Sequence, residues 1–230
     1  MKSDKIPAHI VIIPDGNRRW ATSRGLKPWE GHYKSSSYEH LFGLFKEAKK
    51  LGVRYASLWG FSTENWKRDK KEVSILLNLA LKVIMDFGKE IHKEKIRFRH
   101  IGRKDRLPEK LVREIEKLEA ETADYDDFNF QLLLDYGGRD EILRAVNKLV
   151  KEGKEIDESG FSEALDTAGV PDVDLIIRTS GEQRLSGLMP FQGVYSELCF
   201  VDKHFPDFTG EDLRNAILEF GKRKRNFGGN

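Results

Sequence analysis

Short apolar runs rich in β-branched residues alternate along this chain with segments of helical periodicity. Strand-like runs are predicted at 9–13, 54–61, 96–101, 128–134, 174–177 and 195–201. Helical patterns are predicted at about 38–51, 71–93, 108–123, 138–151 and 209–223. Strands that alternate with helices form a mostly parallel sheet covered by helices. The sequence therefore predicts an α/β fold, in a single domain spanning residues 1–230.

Two helix ends carry specific local signals. Gly52 stands where the C-cap of the helix at 38–51 is expected. Thr209 and Asp212 have the spacing of a capping box, which predicts the start of the last helix. The C-terminal sequence KRKRNFGGN is interpreted as a frayed or docking tail.

Composition narrows the class of protein. The chain has 40 basic and 38 acidic residues, and this net charge of +2 gives no overall field that demands nucleic acid. Cys199 is the only cysteine, which excludes an internal disulfide and favours a reducing cytoplasm. The first residues, MKSDKIPAH, are polar and are not typical of a signal peptide. No apolar run approaches the roughly 18 residues that a membrane span needs. We expect a cytoplasmic protein.

The long helix at 71–93 has an unusually wide apolar face. Its polar residues Ser74, Asn78, Lys82 and Asp86 form one stripe at four-residue spacing, and nearly all the others are apolar. A surface helix needs an apolar arc of only about 100°. This helix should therefore be covered on more than one side. It is either a central core helix, a dimer contact, or a helix that lines an apolar cavity.

The sequence PDGNRRW, at 14–20, follows the first predicted strand. Ligands of open α/β sheets bind at the carboxyl ends of strands, where amide groups at a helix start can hold an anion. Arg18 and Arg19 add positive charge, and Asp15 fits an Mg²⁺ ion that bridges carboxylate and phosphate. His32 could face the same pocket, although a lone histidine is more often structural. The alternative is an N-cap with solvated arginines.

A second polar segment, GFSTENWKR at 60–68, follows the second strand and is expected at the same sheet edge. It carries the polar residues Ser62, Glu64, Asn65 and Arg68 next to the aromatic residues Phe61 and Trp66. The alternative is a loop that ends in a capped helix start.

The third segment is IIRTSGEQRLS, at 176–186, followed by YSELCF. Arg178, Arg184 and Ser186 could form a second phosphate clamp, because guanidinium groups bind phosphate through paired hydrogen bonds. Glu197 is a lone acid that could be a metal partner. The alternative is a set of surface ion pairs. The three segments together suit two phosphorylated substrates with apolar tails, whereas the absence of a P-loop and of G-x-G-x-x-G disfavours nucleotides.

These motifs, taken in order, resemble the cis-prenyltransferases, the family of undecaprenyl diphosphate synthase. The similarity runs from HIVIIPDGNRRWA through GFSTENWKR, NFQLLLDYGGRDEI and DLIIRTSGEQRLS to YSELCFVDKHFPDF and the terminal FGG. The DDxxD motif of the unrelated trans-prenyltransferases is absent. The resemblance implies a six-stranded, mostly parallel sheet flanked by helices, an apolar tunnel and a homodimer.

The resemblance also implies a reaction. An allylic prenyl diphosphate would be ionised with Mg²⁺, and its prenyl group would be transferred to isopentenyl diphosphate or another acceptor, giving a lipid product that can associate with membrane. Asp15 and Glu197 would be the acids near the metal. Catalytic roles are implied for Asp15, Asn17, His32, Ser62, Glu64 and Asn65. Substrate-binding roles are implied for Gly16, Arg18, Arg19, Trp20, Trp66, Arg68, Arg178, Arg184 and Ser186.

Several positions depart from the family pattern. Pro14 replaces a methionine, Arg18 replaces a glycine, and Pro28 and Asn226 stand where the family has arginines that contact phosphate. The segment GLMPFQ, at 187–192, replaces Asn-Phe-Leu-Leu-Trp-Gln. A charge-assisted hydrogen bond contributes about 1.5–3 kcal/mol, so the loss of two would matter.

These departures leave more than one function open. One hypothesis keeps ionisation of the allylic diphosphate but makes a short or irregular product, or prenylates a different acceptor. A non-catalytic subunit and a lipid-phosphate carrier are less favoured, since Asp15, Asn17, Arg19, His32 and Glu64 are all present.

Overall fold

Six parallel strands form one sheet in the computed structural model of this protein, which describes residues 6–228 apart from the side chain of Lys89. The strands are β1 (His9–Ile13), β2 (Tyr55–Ser62), β3 (Ile96–Ile101), β4 (Phe128–Tyr136), β5 (Leu175–Thr179) and β6 (Glu197–Val201). Their order is β3-β4-β2-β1-β5-β6, and every neighbouring pair is parallel. The predicted sheet is confirmed, and it is wholly rather than mostly parallel.

Eight helices are described within these residues. They are α1 (Asn17–Thr22), α2 (Glu30–Ser35), α3 (Tyr38–Lys50), α4 (Lys70–Lys93), α5 (Glu109–Glu121), α6 (Gly138–Lys151), α7 (Glu158–Ala164) and α8 (Gly210–Phe220). Two 3₁₀ segments lie at Thr63–Lys67 and Phe205–Asp207. The long helices lie where the periodicity predicts them. A helix start was expected at the PDGN turn, where α1 begins, but the extent of α1 and the presence of α2 and α7 were not predicted, because six or seven residues carry too little of the helical period to be recognised.

The two predicted helix-end signals are present. Gly52 has a φ of 94°, the left-handed conformation typical of a residue just beyond a helix end. The Thr209 side chain accepts from the Asp212 amide, and the Asp212 carboxylate accepts from the Thr209 amide. Residues 1–5 and 229–230, which include part of the polar N-terminus and the end of the FGG motif, lie outside the described residues.

The central strand β1 is buried on both faces. Ile10 and Ile12 pack into a large apolar cluster with residues of α3, α4, α5 and α8. Val11 and Ile13 belong to a smaller cluster on the opposite face, which Leu188 and Met189 help to cover. Alternate side chains of one strand thus enter different layers, as the two-residue period of a strand requires.

Helix α4 is covered on two sides, because it contacts both α3 and α5. Its stripe of Ser74, Asn78, Lys82 and Asp86 is exposed, as the sequence predicts. Its Leu76, Leu79, Ala80 and Val83 line a cavity. The helix is therefore a core helix that also forms a cavity wall. Within residues 6–228, no helix is both long enough and apolar enough to cross a bilayer.

Candidate active site

The carboxyl ends of β1, β2 and β5 bring the three polar segments together. β1 lies between β2 and β5, so the chain leaves β1 toward one half of the sheet and returns to fill the other half. Open α/β sheets bind ligands at such a point. Two adjoining polar pockets lie here, and both are lined by Pro14, Asp15, Asn17, His32 and Arg68.

The PDGN turn is held in shape by its own hydrogen bonds. The Asn17 side chain donates to the Pro14 carbonyl at 2.7 Å and accepts from the Ser35 hydroxyl at 2.6 Å. Gly31 of α2 packs so closely on α1 that a Cβ there would lie 1.9 Å from the Asn17 carbonyl oxygen. Gly16 has a φ of 92°, which favours glycine. Asn17 therefore fixes the turn with one of its two side-chain N–H groups, and it also lines both polar pockets.

Asp15 accepts hydrogen bonds from three sides. One oxygen accepts from Arg178 at 2.7 Å, and the other accepts from the Gly16 amide at 2.7 Å and from Arg19 at 3.2 Å. Burial alone would raise the pKa of Asp15, but the hydrogen bond from Arg178, the Gly16 amide and the Arg19 charge lower it below its usual value. Asp15 is therefore an ionised carboxylate at neutral pH.

Arg178 is the buried anchor of the second clamp, with 4% of its surface exposed. It donates to the Ser186 hydroxyl at 2.9 Å and to the Arg184 carbonyl oxygen. Its Nε atom is buried and has no partner. The sequence-predicted grouping of Arg178 with Ser186 is present in the structure, and Asp15 joins it.

Arg19 and Arg184 are linked by a residue that sequence reasoning did not single out. Glu182 accepts from Arg19 at 2.7 Å through one oxygen and from Arg184 through the other. Glu182 lies inside the motif IIRTSGEQRLS, between the two arginines of the proposed clamp. Its position among basic residues is the signal that could have drawn attention to it.

His32 faces the pockets with a buried Nε2 atom that has no partner. Burial, together with the charges of Arg68 and Arg18, lowers its pKa to about 4, so the ring is neutral at pH 7. Arg68 pairs with Glu72 at 3.0 Å, and Arg18 lies 3.7 Å from the same carboxylate. Glu72 is a second site residue that sequence reasoning missed.

The segment at 60–68 reaches the site only in part. Ser62 and Asn65 line a polar pocket, and the Asn65 side chain accepts from the Ser62 amide at 3.1 Å. The Glu64 side chain is exposed. Trp66 points away, because its indole donates to buried Asp135 at 2.8 Å and its ring packs on Phe61. In this arrangement Glu64 and Trp66 do not line the two polar pockets.

Trp20 also has a structural environment. Its indole nitrogen donates to Asp207 at 2.8 Å, and the guanidinium of Arg24 lies 4.5 Å from its ring. These contacts attach α1 to the 3₁₀ segment at 205–207. Trp20 does not line either polar pocket.

Glu197 lies at the opposite edge of the sheet from Asp15. It begins β6, whereas Phe200 of that strand is level with Arg178, and Arg178 is level with Ile13. Glu197 lies three residues before Phe200 along β6. At about 3.3 Å per residue, this offset along the strand alone separates Glu197 from the site by about 10 Å. Its carboxylate pairs with Arg223 at 2.8 Å. The expectation that Glu197 and Asp15 share a metal is therefore wrong for a single chain.

An apolar cavity of about 80 Å³ adjoins the polar pockets. Pro14, Asn17 and His32 line both spaces. The walls are formed mainly by apolar residues: Leu41, Leu58, Leu76, Leu79, Ala80, Val83, Leu132, Leu134 and Phe205. A ligand with a charged head and an apolar tail would fit this arrangement, as the predicted tunnel requires.

A family model with the description "Putative undecaprenyl diphosphate synthase" matches residues 13–228. This chain belongs to that family. The Thermotoga maritima protein named "Isoprenyl transferase" is 44% identical over 98% of each chain. The protein of the same name from Fusobacterium nucleatum is 46% identical over 97% of this chain and 96% of its own.

Two solved structures share the family fold. Lavandulyl diphosphate synthase from Lavandula x intermedia, in complex with dimethylallyl diphosphate, has a TM-score of 0.93 and 35% identity, over 98% of this chain and 100% of that one. A probable undecaprenyl diphosphate synthase from Campylobacter jejuni has a TM-score of 0.81 and 30% identity, over 97% of this chain and 99% of that one. The predicted fold class and family are confirmed.

Proposed function

We propose that this prenyltransferase ionises an allylic prenyl diphosphate with Mg²⁺ and joins the prenyl group to isopentenyl diphosphate in cis chain elongation. The observation that carries the proposal is the position of Asp15, held between Arg178 and Arg19 where the polar pockets meet the apolar cavity. The names of the curated relatives support the same reaction.

Asp15 is the residue that would hold the metal. No group of three or more acidic, histidine or cysteine side chains converges on a metal site within residues 6–228. A single carboxylate nevertheless suits Mg²⁺, which keeps several waters and takes its other ligands from substrate phosphates. Bound Mg²⁺ would supply positive charge to the departing diphosphate.

The basic groups around Asp15 stabilise the same charge. Arg18, Arg19 and Arg68 line the pocket at the PDGN turn, and guanidinium groups aimed at a leaving diphosphate lower the barrier to ionisation. The neutral His32 can offer an N–H group or a lone pair at its free Nε2 atom. The adjoining apolar cavity would bury the tail and limit hydrolysis of the allylic cation.

The acceptor diphosphate would bind on the β5 side. Arg178 and Ser186 line the polar pocket there, and Arg184 contributes its backbone to the same group. Ser62 and Asn65 lie on the β2 side of that pocket, where they can orient the acceptor. The substrate and catalytic roles of the site residues are part of this proposal.

A second candidate is a short product made by an atypical condensation. It is favoured by the likeness of this chain to lavandulyl diphosphate synthase, an enzyme with dimethylallyl diphosphate bound in its structure. The cavity, at about 80 Å³, also limits the length of the prenyl tail that fits without rearrangement. The departures at Pro14, Arg18, Pro28 and Asn226 are compatible with this candidate.

We also propose a cytoplasmic homodimer, whose lipid product can partition into a membrane. Exposed apolar side chains near β6 and the C-terminus give a surface that a second copy could cover: Val194, Tyr195, Leu198, Leu218 and Phe227. Sedimentation at several protein concentrations tests this assembly, and a monomer at all of them would contradict it.

A product assay tests the reaction. Purified protein with Mg²⁺ is incubated with allylic diphosphates of several lengths, with and without isopentenyl diphosphate, and products are identified by mass spectrometry. Growth in five-carbon steps supports cis elongation. A single short condensation product supports the second candidate. No consumption of any allylic diphosphate would overturn both and leave a non-catalytic subunit or a carrier.

A further inference from the structure

Glu182 joins Arg19, which lines the pocket at the PDGN turn, to the side chain of Arg184, which the sequence motif predicts to be part of the second phosphate clamp. One carboxylate oxygen accepts from Arg19 at 2.7 Å, and the other accepts from Arg184. Arg19 is part of α1 at the PDGN turn, whereas Arg184 lies in the loop after β5. A single side chain therefore spans the allylic side and the acceptor side of the site.

The contact belongs to a longer series of alternating charges. Arg19 also donates to Asp15 at 3.2 Å, and Asp15 accepts from Arg178 at 2.7 Å. The order is Arg178, Asp15, Arg19, Glu182, Arg184, in which each acid is shared by two bases. A ligand that binds Arg19 and breaks its hydrogen bonds to Asp15 and Glu182 therefore changes the charge interactions along the whole series.

The side chains toward the Arg184 end of this series are exposed, whereas Arg178 at the other end is buried. The side chains of Arg19 and Arg184 are 48% and 59% exposed, and that of Glu182 is 24% exposed. Arg178 is buried. The hydrogen bond from Arg184, with the charge of Arg19, lowers the pKa of Glu182 below its usual value. Glu182 is thus an ionised, partly exposed group that would compete with a diphosphate for both arginines.

Displacement of Glu182 from one arginine weakens its hold on the other. Its two oxygens belong to one rigid planar group, so a rotation that takes one from Arg19 also moves the second from Arg184. A diphosphate at Arg19 would repel the carboxylate as a whole. Binding of the allylic diphosphate at Arg19 therefore includes the free-energy cost of displacing Glu182. The acceptor diphosphate, which binds second, does not have to displace Glu182 from Arg184.

We propose that Glu182 is a positioning residue that couples the two diphosphate sites, so that occupation of the allylic site strengthens binding at the acceptor site. The inference rests on the proposed function, since its ligands are the two diphosphates of that reaction. It predicts ordered binding, in which the acceptor binds weakly until the allylic substrate is in place. The coupling must be reciprocal, because each ligand changes the affinity of the other by the same factor.

Calorimetric titration of the full chain measures this coupling. The allylic probes are thiolo analogues of dimethylallyl and farnesyl diphosphate, in which sulfur replaces the bridging oxygen and slows ionisation. Isopentenyl diphosphate is titrated with Mg²⁺ into protein alone and into protein saturated with an analogue. We expect its affinity to rise about fivefold or more in the presence of the analogue, within the usual range for coupled sites.

The variant Glu182→Gln keeps the size of the side chain and removes its charge. We expect it to bind isopentenyl diphosphate alone more tightly than the unchanged protein, and to show coupling that is smaller by about threefold or more. Any direct repulsion between the two diphosphates acts in both proteins and cancels in this comparison. The matched control is Glu219→Gln on α8, where the carboxylate pairs with Lys222 far along the chain from either clamp. Its coupling should be unchanged.

The outcomes separate the inference from the proposed function. If both ligands bind and the coupling is the same in the unchanged protein and in Glu182→Gln, the coupling role is wrong and the proposed function stands. If neither analogue nor isopentenyl diphosphate binds the unchanged protein, both fail together. A coupling that falls equally in Glu182→Gln and Glu219→Gln would also overturn the role, because it would reflect a general loss of charge.

Discussion

Asp15 and Asp174 occupy opposite edges of the same sheet and have similar hydrogen-bond partners. Asp15 accepts from one backbone amide and two arginines. Asp174 accepts from the amides of Ala8 and His9, at 2.8 and 3.1 Å, and from Arg225 at 2.6 Å. The number of hydrogen bonds that a carboxylate accepts therefore does not by itself distinguish a structural carboxylate from a candidate catalytic one.

The difference lies in the surroundings of the two groups. Asp15 borders two polar pockets, of which one is also lined by exposed Arg18 and both are lined by His32, whose buried Nε2 atom has no partner. Asp174 ties the start of β1 to a residue near the C-terminus, and it lines none of the pockets described here. A paired carboxylate becomes a candidate site when space and exchangeable cations lie beside it.

The largest expected effect is the loss of activity in Asp15→Asn. The amide oxygen can still accept from Arg178, so the protein should remain folded, but the charge that would hold Mg²⁺ is lost. We expect kcat/KM to fall about 100- to 1,000-fold, with only a modest fall in Tm from the lost charge beside Arg178. Steady-state kinetics and thermal unfolding of the same preparation test this. Activity within about threefold of the unchanged protein would refute the role of Asp15.

The opposite pattern is expected for Asp174→Ala. This change leaves the amides of Ala8 and His9 and the guanidinium of Arg225 without their acceptor. We expect the free energy of unfolding to fall by about 2–4 kcal/mol, while the folded enzyme keeps its kcat. Urea unfolding and kinetics at low temperature measure the two effects. A loss of activity as large as that of Asp15→Asn would contradict the assignment of a purely structural role to Asp174.

His9 and His32 allow a structural residue and a pocket-lining residue to be compared as the pH changes. Burial lowers the pKa of each to about 4. Both ring nitrogens of His9 are bonded, to the Pro171 carbonyl and the Ser57 hydroxyl, whereas Nε2 of His32 has no partner.

The unfolded state takes up a proton on each ring near pH 6.5, whereas the folded state does so only near pH 4. Stability is therefore full above pH 6.5 and is lost as the pH falls toward 4. His9 alone should lower the free energy of unfolding by roughly 2 kcal/mol between about pH 7 and pH 5. Urea unfolding at the two pH values measures the loss.

Inorganic diphosphate should raise the pKa of His32 and leave that of His9 unchanged, because only His32 lines the pockets. Ring-proton NMR titrations with and without the anion follow the two residues separately. A shift at both histidines, or at neither, would contradict the assignment of the pocket.

The smallest effect is expected for Arg18→Gln. Arg18 is exposed and lies 3.7 Å from Glu72, so its removal should change the free energy of unfolding by less than about 0.5 kcal/mol. Affinity for inorganic diphosphate should fall about threefold at low salt and less at high salt, because salt screens an exposed charge. Calorimetry at both salt concentrations checks this, and an affinity that rises would show that Arg18 narrows the site.

Predicted site residues that follow the ends of neighbouring strands lie close together in the structure. Asp15, Arg178 and Ser186 were grouped correctly, because parallel strands present their carboxyl ends at one edge. Glu197 was misplaced because it stands at the beginning of its strand, and the predicted start at Tyr195 would have put it inside the strand. Glu182 was overlooked because its two partners come from separate parts of the chain.

The sequence by itself determined the strands, the long helices, the parallel sheet and the three polar motifs. These features depend on periodicity and on residue type, which are local properties of the chain. Only the tertiary structure decided that Asp15 and Glu182 each contact arginines from two different segments. It also decided that the indoles of Trp20 and Trp66 donate to aspartates outside the polar pockets, and that α4 lines a cavity. The physical reason is that side-chain partners depend on strand order, register and close packing, which connect residues far apart in sequence.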